Sequence, residues 1–194
     1  MKELCTWRNF LKQIIKNYGF LAAITGVIVV LDQITKGIVR ANLPKEAIWS
    51  PWDWLTPYAR IVHWYNSGVA FGMFHGKGDI FKILAIVVSI AIIYYYPRVP
   101  RQDWVLRLAM GMQLGGAIGN LIDRLRFNNQ VTDFISVGTF PVFNVADASI
   151  SVGVGVLLLG VLIQDMKKKK EQVQSSPVAV LSEDPAPGEE KPLE

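Results

Sequence analysis

One cysteine and two histidines are all that this chain of 194 residues has of the side chains that most often cross-link a fold or bind zinc. Cys5 alone cannot close a disulfide within the chain, and His63 and His75 beside one thiol do not make the usual zinc set, so no metal site is expected. Charge is scarce too: Asp, Glu, Lys and Arg make up 19% of residues and the net charge is +4. No stripe of Arg and Lys alternates with aromatics, which argues against a nucleic-acid partner. Even the apolar runs are short, because the uncharged stretches 17–31, 83–96, 108–122 and 148–164 each fall below the roughly 20 residues that cross a bilayer unaided. What is abundant is apolar surface: 51% of residues are hydrophobic and the mean hydropathy is positive, a balance foreign to soluble domains.

Extending each run over its flanks predicts four membrane-spanning helices near 17–38, 79–97, 103–125 and 142–165. Lys12 and Lys16 precede the first run as in a secretory signal, but Asp32-Gln33 follows it in place of a small-residue cleavage site, so it reads as an uncleaved span. The expected organisation is a cytoplasmic segment 1–16, one membrane domain 17–166 with outer platforms 39–78 and 126–141, and a tail 167–194. That tail opens on the basic stop Lys167 to Lys170 and from Glu171 is rich in Pro, Ser and Glu, a disordered composition. Basic residues set the orientation: Lys12 and Lys16, Arg98 and Arg101, and the Lys167 run lie at alternate span ends, which places both termini in the cytoplasm. Gly111, Gly115 and Gly119, with Ser149 and Gly153, repeat at four-residue spacing and predict close helix packing.

With that topology the polar residues gather at one face, the outer one. Asp32 and Lys36 share a face of span one, Asn120, Asp123 and Arg124 a face of span three, and Asn144 and Asp147 the start of span four. Structural ion pairs account for some of them: Asp32 with Lys36, and Asp123 with a basic neighbour such as Arg124. Asp133 and Asp147 have no basic residue within four positions, so a local pair does not explain them. Two carboxylates that are costly to desolvate point to acid/base chemistry, although either can also cap a turn or a helix.

The segment 39–78 carries Trp49, Trp52, Trp54 and Trp64 among prolines, the mark of headgroup-level anchoring. Residues 58–64 alternate enough for a strand, Asn66 to Gly72 reads as a turn, and Val131 to Ile135 is a candidate partner strand. The fold class is therefore mainly α, a polytopic membrane protein with a small outer sheet.

Five motifs in order, Asp32-Gln33-x-x-Lys36, Asn66-x-Gly68-x-Ala70-Phe71, Gly116-Ala117-x-Gly119-Asn120-x-x-Asp123-Arg124, Val131-x-Asp133-Phe134 and Phe143-Asn144-x-Ala146-Asp147, resemble those of bacterial lipoprotein signal peptidase, or signal peptidase II. The resemblance covers roughly residues 15 to 166. It implies four membrane helices with an extracytoplasmic β-cradle and a short surface helix, in the bacterial cytoplasmic membrane. Its catalytic pair would be Asp133 and Asp147. Asn66, Gly68, Asn120, Arg124 and Asn144 would position the substrate, and Asp32, Lys36 and Asp123 would support the site. The substrate would be a prolipoprotein whose lipobox cysteine already carries diacylglyceryl, cut just before that cysteine by a monomer working in membrane lipid.

The chemistry stands on its own terms. Two close carboxyls in a poorly solvated site share a proton, so one can activate water while the other donates to the carbonyl oxygen, and no metal or organic cofactor is required. A transporter would spread polar residues through the membrane depth, which the clustering disfavours. A Ser67 and Lys36 protease is disfavoured by the turn setting of Ser67, and the Gly-x-Gly-Asp signature of presenilin-like proteases is absent.

Overall fold

The structure, a computed structural model, describes residues 2–67 and 78–175. Among these residues the elements are, in order, helix α1 (Lys2–Asn42), strand β1 (Ile48–Trp49), a 3-10 turn (Asp53–Leu55), strand β2 (Ala59–Asn66), helix α2 (Gly78–Tyr95), a further 3-10 turn (Tyr96–Arg98), helix α3 (Trp104–Arg126), strand β3 (Val131–Val137) and helix α4 (Val145–Ser175). The chain divides into two compact units, Met1–Gly160 and Val161–Glu194, and everything that builds the site lies in the first.

Among the described residues, four helices are long and apolar enough to cross a membrane: Asn17–Asn42, Gly78–Arg98, Trp104–Arg126 and Val145–Lys169. Half of the α3 span is buried in the protein, against 17% of each of the others, so α3 is the centre on which the rest pack. Its glycines explain how. A Cβ at Gly111 or Gly115 would sit 2.9 and 2.8 Å from Ile24 and Ile28 of α1, and one at Gly116 would sit 2.4 Å from the carbonyl oxygen of Ala146 in α4. Absent side chains bring both neighbours against the α3 backbone. The outward faces of α1, α2 and α4 carry exposed Val27, Ile34, Ile83, Ile90, Leu158 and Leu159, the apolar surface that lipid covers.

The helix ends correct the sequence reading. α1 runs past residue 38 to Asn42 and stops because Pro44 cannot continue it, so residues 39–42 belong to the helix and not to the platform. α2 tightens into a 3-10 turn where Pro97 interrupts it. α3 ends at Arg126, and beyond it Asn128 and Asn129, whose positive φ values of 48° and 67° suit asparagine, turn the chain back into β3. α4 starts at Val145, not 142, because Phe143 bridges Ile135 and exchanges backbone hydrogen bonds with it. It is also longer than expected, reaching Ser175, so the disordered composition expected from Glu171 does not prevent helix over its first residues.

The sheet is antiparallel in the order β1-β2-β3. β2 begins one residue later than expected and continues to Asn66, which pairs with Val131 and so lies in the strand instead of the turn. Between Ile61 and Trp64 the register shifts by one: β2 takes three steps while β3 takes two, from Ile135 to Asp133. β3 is buried over Val131 to Phe134, which brings Asp133 against the helices. Trp49, Trp52, Trp54 and Trp64 are all more than half exposed, as anchoring rings must be. Gly68 and His75 lie outside the described residues.

Candidate active site

Asp133 reaches the site from β3 and Asp147 from the first turn of α4, and Asn144 ties them together. The Asn144 amide Nδ2 donates to Asp133 Oδ1 at 2.7 Å, while its backbone N–H donates to Asp147 Oδ2 at 3.3 Å. In return Asn144 Oδ1 accepts from the Asp147 N–H at 2.9 Å. That reciprocal pair is a capping box, with Asn144 as N-cap and Asp147 as its third helical residue. The start of α4 therefore fixes where the Asp147 carboxyl points. The next free N–H, of Ala146, is met from another helix, by Asp32 Oδ1 at 3.0 Å.

Each carboxyl has a second asparagine. Asn66, from the end of β2, donates to Asp133 Oδ2 at 3.0 Å, and Asn120, from α3, donates to Asp147 Oδ1 at 2.7 Å. Asn120 Oδ1 accepts from Asn144 Nδ2 at 3.2 Å and from Lys36 Nζ at 2.9 Å. Lys36 is fully buried and also pairs with Asp32 at 2.9 Å. Asn120 thus links the buried lysine to Asp147.

Burial, and then the negative charge of Asp147, raise the Asp133 carboxyl from its ordinary 3.8 to about 7, against the hydrogen bonds of Asn66 and Asn144 that favour its ionised form. At neutral pH the Asp133 carboxyl is therefore poised between its protonated and ionised forms.

Asp123 does not pair with Arg124. It is fully buried, accepts from Gln33 Nε2 at 3.1 Å and the Thr132 N–H at 2.9 Å, and lies 3.6 Å from both Lys36 and Arg40. Adjacent residues on a helix point apart, which is why the neighbouring arginine is not the partner. Arg124 turns the other way, onto the cavity, with its guanidinium 5.6 Å from the Phe81 ring and its Nε buried without a hydrogen-bond partner.

The sequence reading gave no role to Gln33, Arg40 or Thr132. Gln33 Nε2 lies 3.1 Å from Asp32, Asp123 and the Gly119 carbonyl, and Arg40 donates to Thr132 Oγ1 at 2.9 Å while covering Phe127. Arg40 was findable, since it follows Lys36 by four positions on the same helix face.

Asp133 and Asp147 open onto a cavity of about 700 Å³. Asn66, Asn120 and Arg124 give it a polar end; Phe81, Leu84 and Val88 of α2 and Ala148, Ser151 and Val152 of α4 make its walls. Such a space accepts a chain with a polar reacting group and an apolar body. It has two carboxyls that can move protons, and asparagine amides and an arginine guanidinium that can hydrogen-bond a peptide backbone.

The family model described as signal peptidase (SPase) II matches residues 24–163. The lipoprotein signal peptidase of Desulfitobacterium hafniense (strain DSM 10664 / DCB-2) is 36% identical over 148 residues, covering 76% of this chain and 95% of that protein. The one from Halalkalibacterium halodurans is 38% identical over 151 residues, with 75% and 94% covered. The one from Staphylococcus aureus (strain JH9) is 32% identical over 149 residues, with 75% and 88% covered. A solved bacterial membrane enzyme superposes with a TM-score of 0.71 at 30% identity, covering 79% of this chain and 93% of the other.

Proposed function

Because this chain belongs to the signal peptidase II family, and so is an aspartic peptidase that removes signal peptides from prolipoproteins, we propose that Asp133 and Asp147 are its catalytic pair. The observation that carries the assignment is that two carboxyls from separate elements, bridged by Asn144, share one cavity with the polar groups a peptide needs.

Asp133 is the acid and Asp147 the base. The proton kept on Asp133 is aimed at the scissile carbonyl oxygen, where negative charge builds as the bond is attacked. Asp147 takes a proton from the attacking water, and Lys36, acting through Asn120, steadies the charge on the accepting carboxylate. General acid and base assistance of this kind contributes about 10² to 10⁴ in rate. When the tetrahedral intermediate collapses, the proton taken by Asp147 passes to the leaving amine and Asp133 recovers its own. Arg124, whose Nε has no protein partner, and Asn66 bind the substrate backbone; Asp32, Asp123 and Gln33 hold Lys36 and the start of α4 in place.

The protein is a multi-pass bacterial membrane protein. Our reading of its basic residues puts both termini in the cytoplasm and the aspartates at the extracytoplasmic face, with a monomer as the working unit. The substrate cysteine carries diacylglyceryl, whose chains stay in lipid beside the apolar walls formed by α2 and α4. Each methylene adds about 0.8 kcal/mol to the anchoring of the substrate in the bilayer, and an unlipidated precursor lacks both that anchoring and the contacts with these walls. Mass spectrometry of the products tests this: the mature fragment should begin at the lipid-bearing cysteine. A cut elsewhere, or an equal rate on unlipidated precursor, would overturn the proposal.

A further inference from the structure

We infer that Gln113 of α3 and Ser151 of α4 form a subsite that binds the ester carbonyls of the substrate's diacylglyceryl group. The inference rests on the peptidase reading above and deepens it.

Both residues line the apolar part of the cavity, inside membrane-spanning stretches, and among the described residues neither side chain has a hydrogen-bond partner. That departs from how this protein treats polar groups at the same depth. Ser149 donates its one hydroxyl hydrogen within reach of two carbonyls, Ala146 at 2.8 Å and Met112 at 3.2 Å, and Thr25 donates to that of Gly111. Ser89 is also unpartnered, but it does not line the cavity. A hydroxyl or amide facing lipid has no water to satisfy it, so donors left open beside a substrate cavity are matched by acceptors on the substrate.

Position selects which acceptors. Gln113 precedes Asn120 by seven residues, roughly 10 Å along α3, and Ser151 follows Asp147 by four, roughly 6 Å along α4. Both steps lead from the aspartates toward the membrane interior. From the scissile amide nitrogen through the cysteine sulfur and glyceryl carbons to an ester carbonyl is about eight bonds, roughly 9 Å extended. The signal peptide itself has little use for these donors, since a helix in lipid satisfies its own carbonyls and its core side chains are apolar. Esters have acceptors and no donors, the complement of a hydroxyl and an amide N–H. Gly153 supports the arrangement: a Cβ there would meet Gln113 Cγ at 3.2 Å, so its absence lets the glutamine lie across α4.

The test compares two synthetic prolipopeptides, one with ester-linked and one with ether-linked diacylglyceryl, cleaved by the purified full chain in the same detergent. Wild type should prefer the ester on the order of tenfold in kcat/KM, through KM, as expected of two ordinary hydrogen bonds. The double variant Gln113→Leu/Ser151→Ala should show a ratio near one, while Ser151→Thr, which keeps the hydroxyl, should keep most of the preference. Gln113→Met serves if the leucine variant does not melt as a folded protein. Equal rates for both substrates in wild type, or an undiminished ester preference in the folded double variant, would overturn the subsite. Failure of wild type to cut either substrate would instead overturn the peptidase reading.

Discussion

Asp133 is where the account is most exposed to test at the scale of a residue. Its carboxyl is shifted up to about 7, so it still carries a proton in part of the molecules at neutral pH and loses it as the pH rises through that value. The kcat/KM profile should accordingly fall on the alkaline side of about 7. The same shift has a stability consequence. A carboxyl with a raised folded-state value binds its proton more tightly when folded than when unfolded, so stability falls as pH rises from about 4 to about 7 and is flat above. Asp133→Asn removes that penalty, and thermal melts should show the variant gaining on wild type across this interval. A constant difference at every pH would mean the carboxyl is not desolvated as described. Asp133 and Asp147 were legible in the sequence because each is a carboxylate in apolar surroundings with no nearby base. The partner of Asp123 was not, because Lys36, Arg40 and Thr132 reach it across the fold, and only packing reveals a distant partner.

At the scale of elements, the site depends on how closely α4 starts against α3. A Cβ on Gly116 would press to 2.4 Å from a backbone oxygen, which cannot step aside, whereas one on Gly119 meets the side-chain oxygen Asp32 Oδ2 at 2.7 Å. Gly116→Ala should therefore cost about 1–3 kcal/mol of stability as overpacking. Gly119→Ala should lose activity out of proportion to stability, because Asp32 holds both Lys36 and the Ala146 N–H. Paired melts and rates of the two variants check this, and a milder melt for Gly116→Ala would contradict it. Charge-free runs were enough to read four helices, and glycine spacing was enough to read their packing. Their ends were not legible, since Pro44, the Phe143 bridge and the Asn144 cap act through local geometry that composition does not carry. The one-residue bulge in β2 is of the same kind: no turn residue marks it.

For the whole molecule, the arrangement of polar groups at one end of an apolar bundle demands a sided membrane protein. In a Cys5→Ser background, a cysteine placed at Asp53 should react with an impermeant maleimide in intact cells, and one placed at Gln102 only after lysis; the opposite pattern would invert the topology. The central claim is that two aspartates cut the peptide bond of a lipid-modified precursor. It is tested most directly by incubating a diacylglyceryl-modified prolipoprotein with wild type, Asp133→Asn and Asp147→Asn, each shown by thermal melt to be folded in the same detergent. Asparagine keeps the size of the side chain and removes its titratable proton, so the account predicts that wild type releases the signal peptide while each folded variant loses at least about 10² in rate. Near-normal cleavage by either folded variant would contradict it.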